Sequence, residues 1–265
     1  MEKERLDILV KKSGLADSRE QAKRLIMEGK IRVDSVLEDK PGMTFPIDSK
    51  IELVGEKMPY VSRGGFKLEK AIEFFKIDLS NKRCIDIGAS TGGFTDCMLQ
   101  NGAIHVTSVD VGYGQLDYRL RTDERVTVME RTNFRYLKPE DIGERMDFFS
   151  CDVSFISLSK VLPAVRPIMK DEGEGVCLIK PQFEAGREKV GKKGVVRDPA
   201  IHIEVIYNVF SYIKESGFFV KGLTFSPIKG PEGNIEYLVF VSASQYDLFS
   251  DSALDIVAEA FQTLQ

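Results

Sequence analysis

Along residues 4–12 and 18–28 apolar positions recur at helical spacing. Ala22, Leu25 and Ile26 give the second segment its buried stripe, and two short helices are predicted there. Ser18 stands at an N-cap with Gln21 at the capping-box position, and Gly29 closes the segment. The period then drops to two. Ile31, Val33 and Val36 alternate with polar residues around an Asp34-Ser35 turn, Lys40-Pro41-Gly42 breaks the run, and a further strand is expected at 50–54. Residues 1–54 thus read as a small α+β module of ααβ type.

Residues 55–61, with Met58-Pro59 among them, lose periodicity and read as a linker. A strong helix is expected at 66–75, where Leu68, Ile72 and Phe75 share a face. From there strands and helices alternate. Strands are predicted at 83–87, 105–109, 127–130, 146–151, 175–179, 220–225 and 236–242, with helices at 94–101, 115–122, 157–170 and 199–216. This is the pattern of an α/β fold, a Rossmann-like, doubly wound sheet of seven strands with helices on both faces, over residues 62–265. The last two strands are joined by a connection too short for a crossover helix, so an antiparallel last strand is expected. That ending suits a methyltransferase sheet better than a dinucleotide-binding one.

The composition, 43% hydrophobic and 29% charged, is that of a globular chain, and no run approaches the 18 apolar residues of a membrane span. The charged N-terminus lacks the apolar core of a signal peptide, so a cytoplasmic location is expected. Cys84, Cys97, Cys151 and Cys177 are widely spaced and read as small core hydrophobes; with His105 and His202 isolated, no metal site is expected. The net charge is −4, and residues 1–63 carry 13 Lys and Arg against 12 Asp and Glu. Any nucleic-acid binding must therefore come from local basic faces. Nothing here sets the oligomeric state; a monomer is compatible.

The stretch Cys84-Ile-Asp-Ile-Gly-Ala-Ser-Thr-Gly-Gly-Phe-Thr-Asp96 runs from an apolar strand through a glycine turn into a helix. Gly88, Gly92 and Gly93 permit close approach of a ligand, and the helix N-terminus favours a negative group, either a pyrophosphate or the carboxylate of S-adenosylmethionine. The spacing is not G-x-G-x-x-G. Asp86 is placed to meet a methionine moiety, and Asp110 ends the next strand 22 residues after Gly88, where a carboxylate accepts ribose hydroxyls. S-adenosylmethionine is the expected cofactor, held by Asp86, Gly88, Ala89, Ser90, Gly92, Gly93, Phe94, Asp110, Val111 and Asp152.

Asp152 ends one strand and Lys180 another, and both should face the ligand edge of the sheet. Lys67, on the helix before the first strand, and Glu236, opening the last strand, complete a set of four. A ribose 2′-hydroxyl ionises far above neutral pH and needs such help. Lys180 acts as a base only when neutral, which Lys67 and burial favour and Asp152 and Glu236 oppose. The four would titrate together. Spacing alone leaves them as readily two ordinary strand-end salt bridges.

The segments Ser62-Arg-Gly-Gly-Phe-Lys-Leu68, Asp86 to Phe94, Cys151-Asp-Val-Ser-Phe155, Ile179-Lys-Pro-Gln-Phe183, Gly194-Val-Val-Arg-Asp-Pro199 and Gly233-Asn-Ile-Glu-Tyr237 resemble those of the TlyA family. The resemblance covers nearly the whole chain. It implies an S-four-type RNA-binding domain joined to an FtsJ-like methyltransferase that acts on cytidine 2′-hydroxyls in ribosomal RNA of the small or large subunit. The implied catalytic tetrad is Lys67, Asp152, Lys180 and Glu236. It also turns a basic helical stripe on the first module, Arg5, Arg19, Lys23 and Arg24, otherwise a solvated face, into an RNA surface. Arg187, Lys189, Lys192, Lys193 and Arg197 cluster among glycines next to the expected active site as a second RNA-binding candidate, and Arg63 is expected to contact RNA as well. Phe183 is placed to stack on a flipped base, with packing under its loop as the alternative. The tryptophan present in the interdomain segment of some relatives is absent, as the chain has none. Base methylation is disfavoured, since Asp152-Val-Ser-Phe155 replaces the N/D-P-P-Y/F motif and neither Cys151 nor Cys177 stands where a nucleophile should. A non-catalytic ribosome-assembly protein and the haemolysin of the family's label are the other classes.

Overall fold

The computed structural model describes residues 2–27, 29–54, 58–244 and 252–264, in two compact units, Met1–Pro59 and Tyr60–Gln265. In the first, β1 (Lys3–Arg5) leads into α1 (Leu6–Lys12) and α2 (Arg19–Met27), followed by β2 (Ile31–Val33), β3 (Val36–Glu38), β4 (Thr44–Pro46) and β5 (Ile51–Leu53). β2 lies between β3 and β5 in an antiparallel sheet, and β1 pairs with β4. Leu6, Val10, Ala22, Ile26, Ile31 and Val33 form its core. The first helix begins two residues later than expected because Lys3, Glu4 and Arg5 are paired across to Thr44–Pro46. Ser18 Oγ accepts the Gln21 N–H as a cap should. Glu28, expected to end the second helix, lies outside the described residues, as do residues 55–57 of the expected linker.

The last two residues of that linker, Tyr60 and Val61, are built into the second unit. The Tyr60 hydroxyl donates to Glu69 Oε1 (2.6 Å), the Val61 N–H donates to Asp96 Oδ2 (2.8 Å), and both residues are buried.

The second unit runs α3 (Gly64–Phe75), β6 (Arg83–Ile87), α4 (Gly93–Gln100), β7 (His105–Val109), α5 (Tyr118–Arg121), β8 (Val126–Met129), α6 (Pro139–Ile142), β9 (Met146–Cys151), α7 (Leu162–Val165), β10 (Met169–Ile179), α8 (Pro181–Glu184), α9 (Pro199–Glu215), β11 (Phe219–Phe225), β12 (Tyr237–Ser242) and α10 (Ala253–Thr263). The seven strands lie in the order β11-β12-β10-β9-β6-β7-β8, with β12 antiparallel to both neighbours and the β10 to β8 half parallel. Alternation sends each strand's residues to two cores. Cys84, Phe148, Val176, Leu178, Leu238 and Phe240 meet α3 and α4 on one face. Ile85, Ile87, Phe149, Cys177, Tyr237 and Val239 meet the Val205, Ile206, Val209 and Ile213 stripe of α9 and the Val257 and Ala260 side of α10 on the other.

The long helix expected at 157–170 is instead α7 flanked by two short 3₁₀ turns, because Pro163 and Pro167 each remove a backbone donor; β10 already begins at Met169. The helix expected at 115–122 contracts to the single turn of α5. Among the described residues no helix is long and apolar enough to cross a membrane.

Candidate active site

Every parallel strand delivers its C-terminal end to one edge of the sheet, and that edge holds the site. After Ile87, Gly88 turns the chain at φ +86°, and a Cβ there would stand 2.5 Å from the Asp152 carbonyl oxygen. Only glycine lets the ends of β6 and β9 approach so closely. The Ser90 N–H donates to Asp110 Oδ2 (2.8 Å) and the Gly112 N–H to Asp110 Oδ1 (2.6 Å), so one carboxylate ties together the loops after β6 and β7. A Cβ on Gly93 would lie 2.3 Å from Ser62 Oγ and 2.8 Å from the Gly65 nitrogen, so the first turns of α3 and α4 lie in backbone contact.

Two adjoining cavities open here. One, of about 460 Å³, is bounded by Ile87, Asp110, Val111, Gln115, Asn133 and Phe134; the other, of about 360 Å³, by Arg63, Lys67, Ala89, Phe94, Lys180 and Glu236. Gly88, Ser90, Asp152 and Ser154 line both. Of the expected cofactor residues, Ala89, Gly93 and Phe94 line the smaller cavity and Asp110 and Val111 the larger, whereas Asp86 and Gly92 line neither. Gly92 packs under Leu116 and Leu120. Asp86 is fully buried, and its carboxylate accepts from the Thr95 N–H (2.9 Å), the Thr95 hydroxyl (2.7 Å) and the Ser150 hydroxyl (3.0 Å). Burial pushes that carboxyl up to about 6 against these hydrogen bonds. Its protein partners thus lie on α4 and β9, and these bonds fix the start of α4.

The sheet register explains why the four charged residues converge. Ile179 pairs with Tyr237 across β10 and β12, so Lys180, one residue on, faces Glu236, one residue before. Lys67 Nζ donates to Glu236 Oε2 at 2.7 Å and lies 3.8 Å from Asp152 Oδ2; Lys180 Nζ is 2.5 Å from Asp152 Oδ1 and donates to Ser154 Oγ at 2.9 Å. Both lysines and Glu236 are buried. Opposite charges in a poorly hydrated pocket attract far more strongly than in water, which holds the cluster together.

The approach to β12 is braced as well. The Ser226 N–H donates to the Glu236 carbonyl (2.8 Å), and a Cβ on Gly230 would lie 2.6 Å from Glu236 Oε1. Asn234, also buried, accepts the Val196 N–H and donates to the Gly194 carbonyl. His202 joins the same brace, its Nδ1 2.8 Å from the Tyr237 hydroxyl and its Nε2 3.0 Å from the Val196 carbonyl; burial lowers its pKa, favouring the neutral ring. The motifs 194–199 and 233–237 are thereby one structural unit.

The residues expected to grip RNA behave unequally. Arg5 and Arg19 both pair with Asp7, a buried carboxylate, at 3.0 and 2.9 Å while leaving roughly half of each side chain exposed. Lys23 pairs with Glu20, and Arg24 is exposed. In the second unit Lys189 pairs with Glu204, whereas Arg187, Lys192, Lys193 and Arg197 are exposed. Phe183 lies 5.0 Å, ring centre to ring centre, from Phe155, and both line a further cavity of about 470 Å³ with Gln182 and Arg187. Phe155 is 89% exposed and sits at φ +63°, a strained setting for an aromatic residue beside an active site. Sequence reading did not single out Phe155, Ser154 or Lys229 as site residues.

Residues 60–243 match the FtsJ-like methyltransferase family and residues 4–47 the S4 domain. The chain is 49% identical to the Bacillus subtilis protein YqxC, whose name places it provisionally among rRNA methyltransferases, over 99% of this chain and 96% of that one. It is 44% identical to the 16S/23S rRNA (cytidine-2′-O)-methyltransferase TlyA of Mycobacterium tuberculosis, covering 89% of each. A solved structure from Streptococcus thermophilus, titled provisionally as a hemolysin, superposes with a TM-score of 0.79 at 48% identity, covering 99% of this chain and 97% of that one.

Proposed function

This chain belongs to the FtsJ-like methyltransferase family, and from that premise we propose that it methylates the 2′-hydroxyl of cytidine in ribosomal RNA, using S-adenosylmethionine and an N-terminal RNA-binding module. The observation that carries the reading is the meeting of Lys67, Asp152, Lys180 and Glu236 in a cavity that shares its wall with the glycine turn.

The site fits the cofactor. Gly88 lets the ends of β6 and β9 close up at a wall shared by both cavities, Asp110 stands on the wall of the larger cavity for ribose hydroxyls, and α4 begins beside the smaller one. Bound there, S-adenosylmethionine supplies a methyl group on a sulfonium that departs as a neutral thioether. The chain's own part is proton handling and alignment. In its neutral form Lys180 takes the proton leaving the 2′-hydroxyl, Asp152 balances the resulting ammonium, and Ser154 fixes the amine's direction. Lys67 and Glu236 hold Asp152 in place from the other side. General-base assistance of this kind contributes about 10²–10⁴-fold, with alignment supplying much of the remainder. Arg5, Arg19 and Arg24 on the first unit and the 187–197 loop on the second give register on the RNA through phosphates, and Phe183 with Phe155 offers aromatic faces for a base drawn from its stack.

The test incubates the protein with unmodified ribosomal subunits and tritiated S-adenosylmethionine, then locates the label. Tritium on ribose 2′-oxygens of cytidines is expected; label on bases alone, or no transfer with intact cofactor binding, would sink the reading.

A further inference from the structure

We propose that Lys229 is a positioning residue that holds a phosphodiester beside the target ribose, an inference resting on the methyltransferase reading above. Six charged side chains line the smaller cavity: Arg63, Lys67, Lys180 and Lys229 against Asp152 and Glu236. Lys67 is matched by Glu236 at 2.7 Å and Lys180 by Asp152 at 2.5 Å. Among the described residues Arg63 and Lys229 form no ion pair, so the wall carries a surplus of positive charge, two with all six groups ionised and one with Lys180 as the neutral base. S-adenosylmethionine is itself a net cation and does not offset that surplus. A nucleotide within RNA does, since its ribose is flanked by a phosphodiester on each side.

Lys229 is also held in register with the reacting groups. Residue 228 is fixed by Ser226, whose hydroxyl donates to the Ile228 carbonyl (2.6 Å) and accepts the Ile228 N–H (3.3 Å). Residue 230 is fixed on the other side, the Gly230 N–H donating to the Asn234 carbonyl (2.9 Å) while its missing side chain makes room for Glu236. The backbone of Lys229 is therefore pinned against the tetrad while its four-carbon stem stays adjustable, which suits a point charge meeting a phosphate oxygen. Such a contact fixes where the 2′-oxygen lies relative to Lys180 and reads no base.

The experiment compares wild type, Lys229→Gln, Lys229→Arg and, as control, Lys214→Gln at the exposed end of α9, using full-length protein, unmodified ribosomal subunits and labelled cofactor. Lys229→Gln should raise the KM for subunits about tenfold and flatten the salt dependence of log KM by about one unit per decade. Cofactor Kd and kcat should stay within about threefold, Lys229→Arg should recover most of the loss, and Lys214→Gln should behave as wild type. The proposal is overturned by an unchanged KM, by failure of Arg to rescue, or by a cofactor Kd that rises in step with KM, which would place Lys229 on the methionine carboxylate. A wild-type enzyme that puts no methyl on ribose defeats the parent reading as well. Normal ribose methylation by Lys229→Gln at low subunit concentration defeats this inference alone.

Discussion

Lys67 Nζ stands 2.7 Å from Glu236 Oε2 across 169 positions of chain, with the glutamate 1% exposed. A carboxylate so buried is tolerable only with its counter-ion. Lys67→Met should therefore lower stability by about 3–5 kcal/mol, and the double variant Lys67→Met with Glu236→Gln should recover most of it. Neither should transfer methyl groups. Thermal unfolding beside a tritium-transfer assay checks both, and a single variant that melts like the parent would show the pair to be structurally idle.

Lys180→Ala removes the amine that faces Asp152 and Ser154. Transfer should fall by about 10²–10⁴-fold while cofactor affinity, measured calorimetrically, stays within about threefold. Near-parental turnover would remove Lys180 from the proton path.

Asp86 gives a stability prediction with a definite sign. Its folded pKa, about 6, lies above the ordinary 3.8, so the folded state holds the proton more tightly and stability falls as pH rises from about 4 to 6. Asp86→Asn should unfold at a higher temperature than the parent at pH 7.5 and at a similar one at pH 4, with cofactor binding retained. Loss of cofactor binding in a fully folded variant would instead restore the direct contact expected from sequence.

Asp7 runs the opposite way. The Arg5 hydrogen bond, opposed by burial and reinforced by Arg19, holds its carboxyl down at about 2, below the ordinary 3.8. The stabilisation is complete above pH 4 and is lost as pH falls from there towards 2. With both guanidinium groups half-exposed it amounts to about 1–2 kcal/mol. Amide exchange in α1 and α2 of the full chain should accelerate over that window, and Asp7→Asn should abolish the pH dependence.

The central strands were legible because parallel strands covered on both faces are short, largely apolar segments bounded by polar turns, and the glycine turn marks where β6 ends. The segment 157–170 misled because Leu158, Leu162, Val165 and Ile168 keep helical spacing and do pack as one buried face, although Pro163 and Pro167 cut the backbone into separate turns. β1 was invisible since its partner, β4, lies some forty residues away and local periodicity says nothing of it. The four tetrad residues were named from sequence, but their contact depends on the β10–β12 register, which no local pattern encodes. The partners of Asp86 follow from alternation, which sequence reading did not apply: Ile85 and Ile87 point to the α9 face, so Asp86 points to α4. Arg5 and Arg19 looked free because Asp7, two and twelve positions away, reads in sequence as one more surface acid.

The reversed strand has a consequence for how the enzyme comes into being. β11 precedes β12 in the chain yet touches the rest of the sheet only through it. Until β12 slots between β10 and β11, the sheet is unfinished and Glu236, at its entrance, is absent from the reaction edge. Closure of the sheet and the seating of Glu236 against Lys67 are therefore one event.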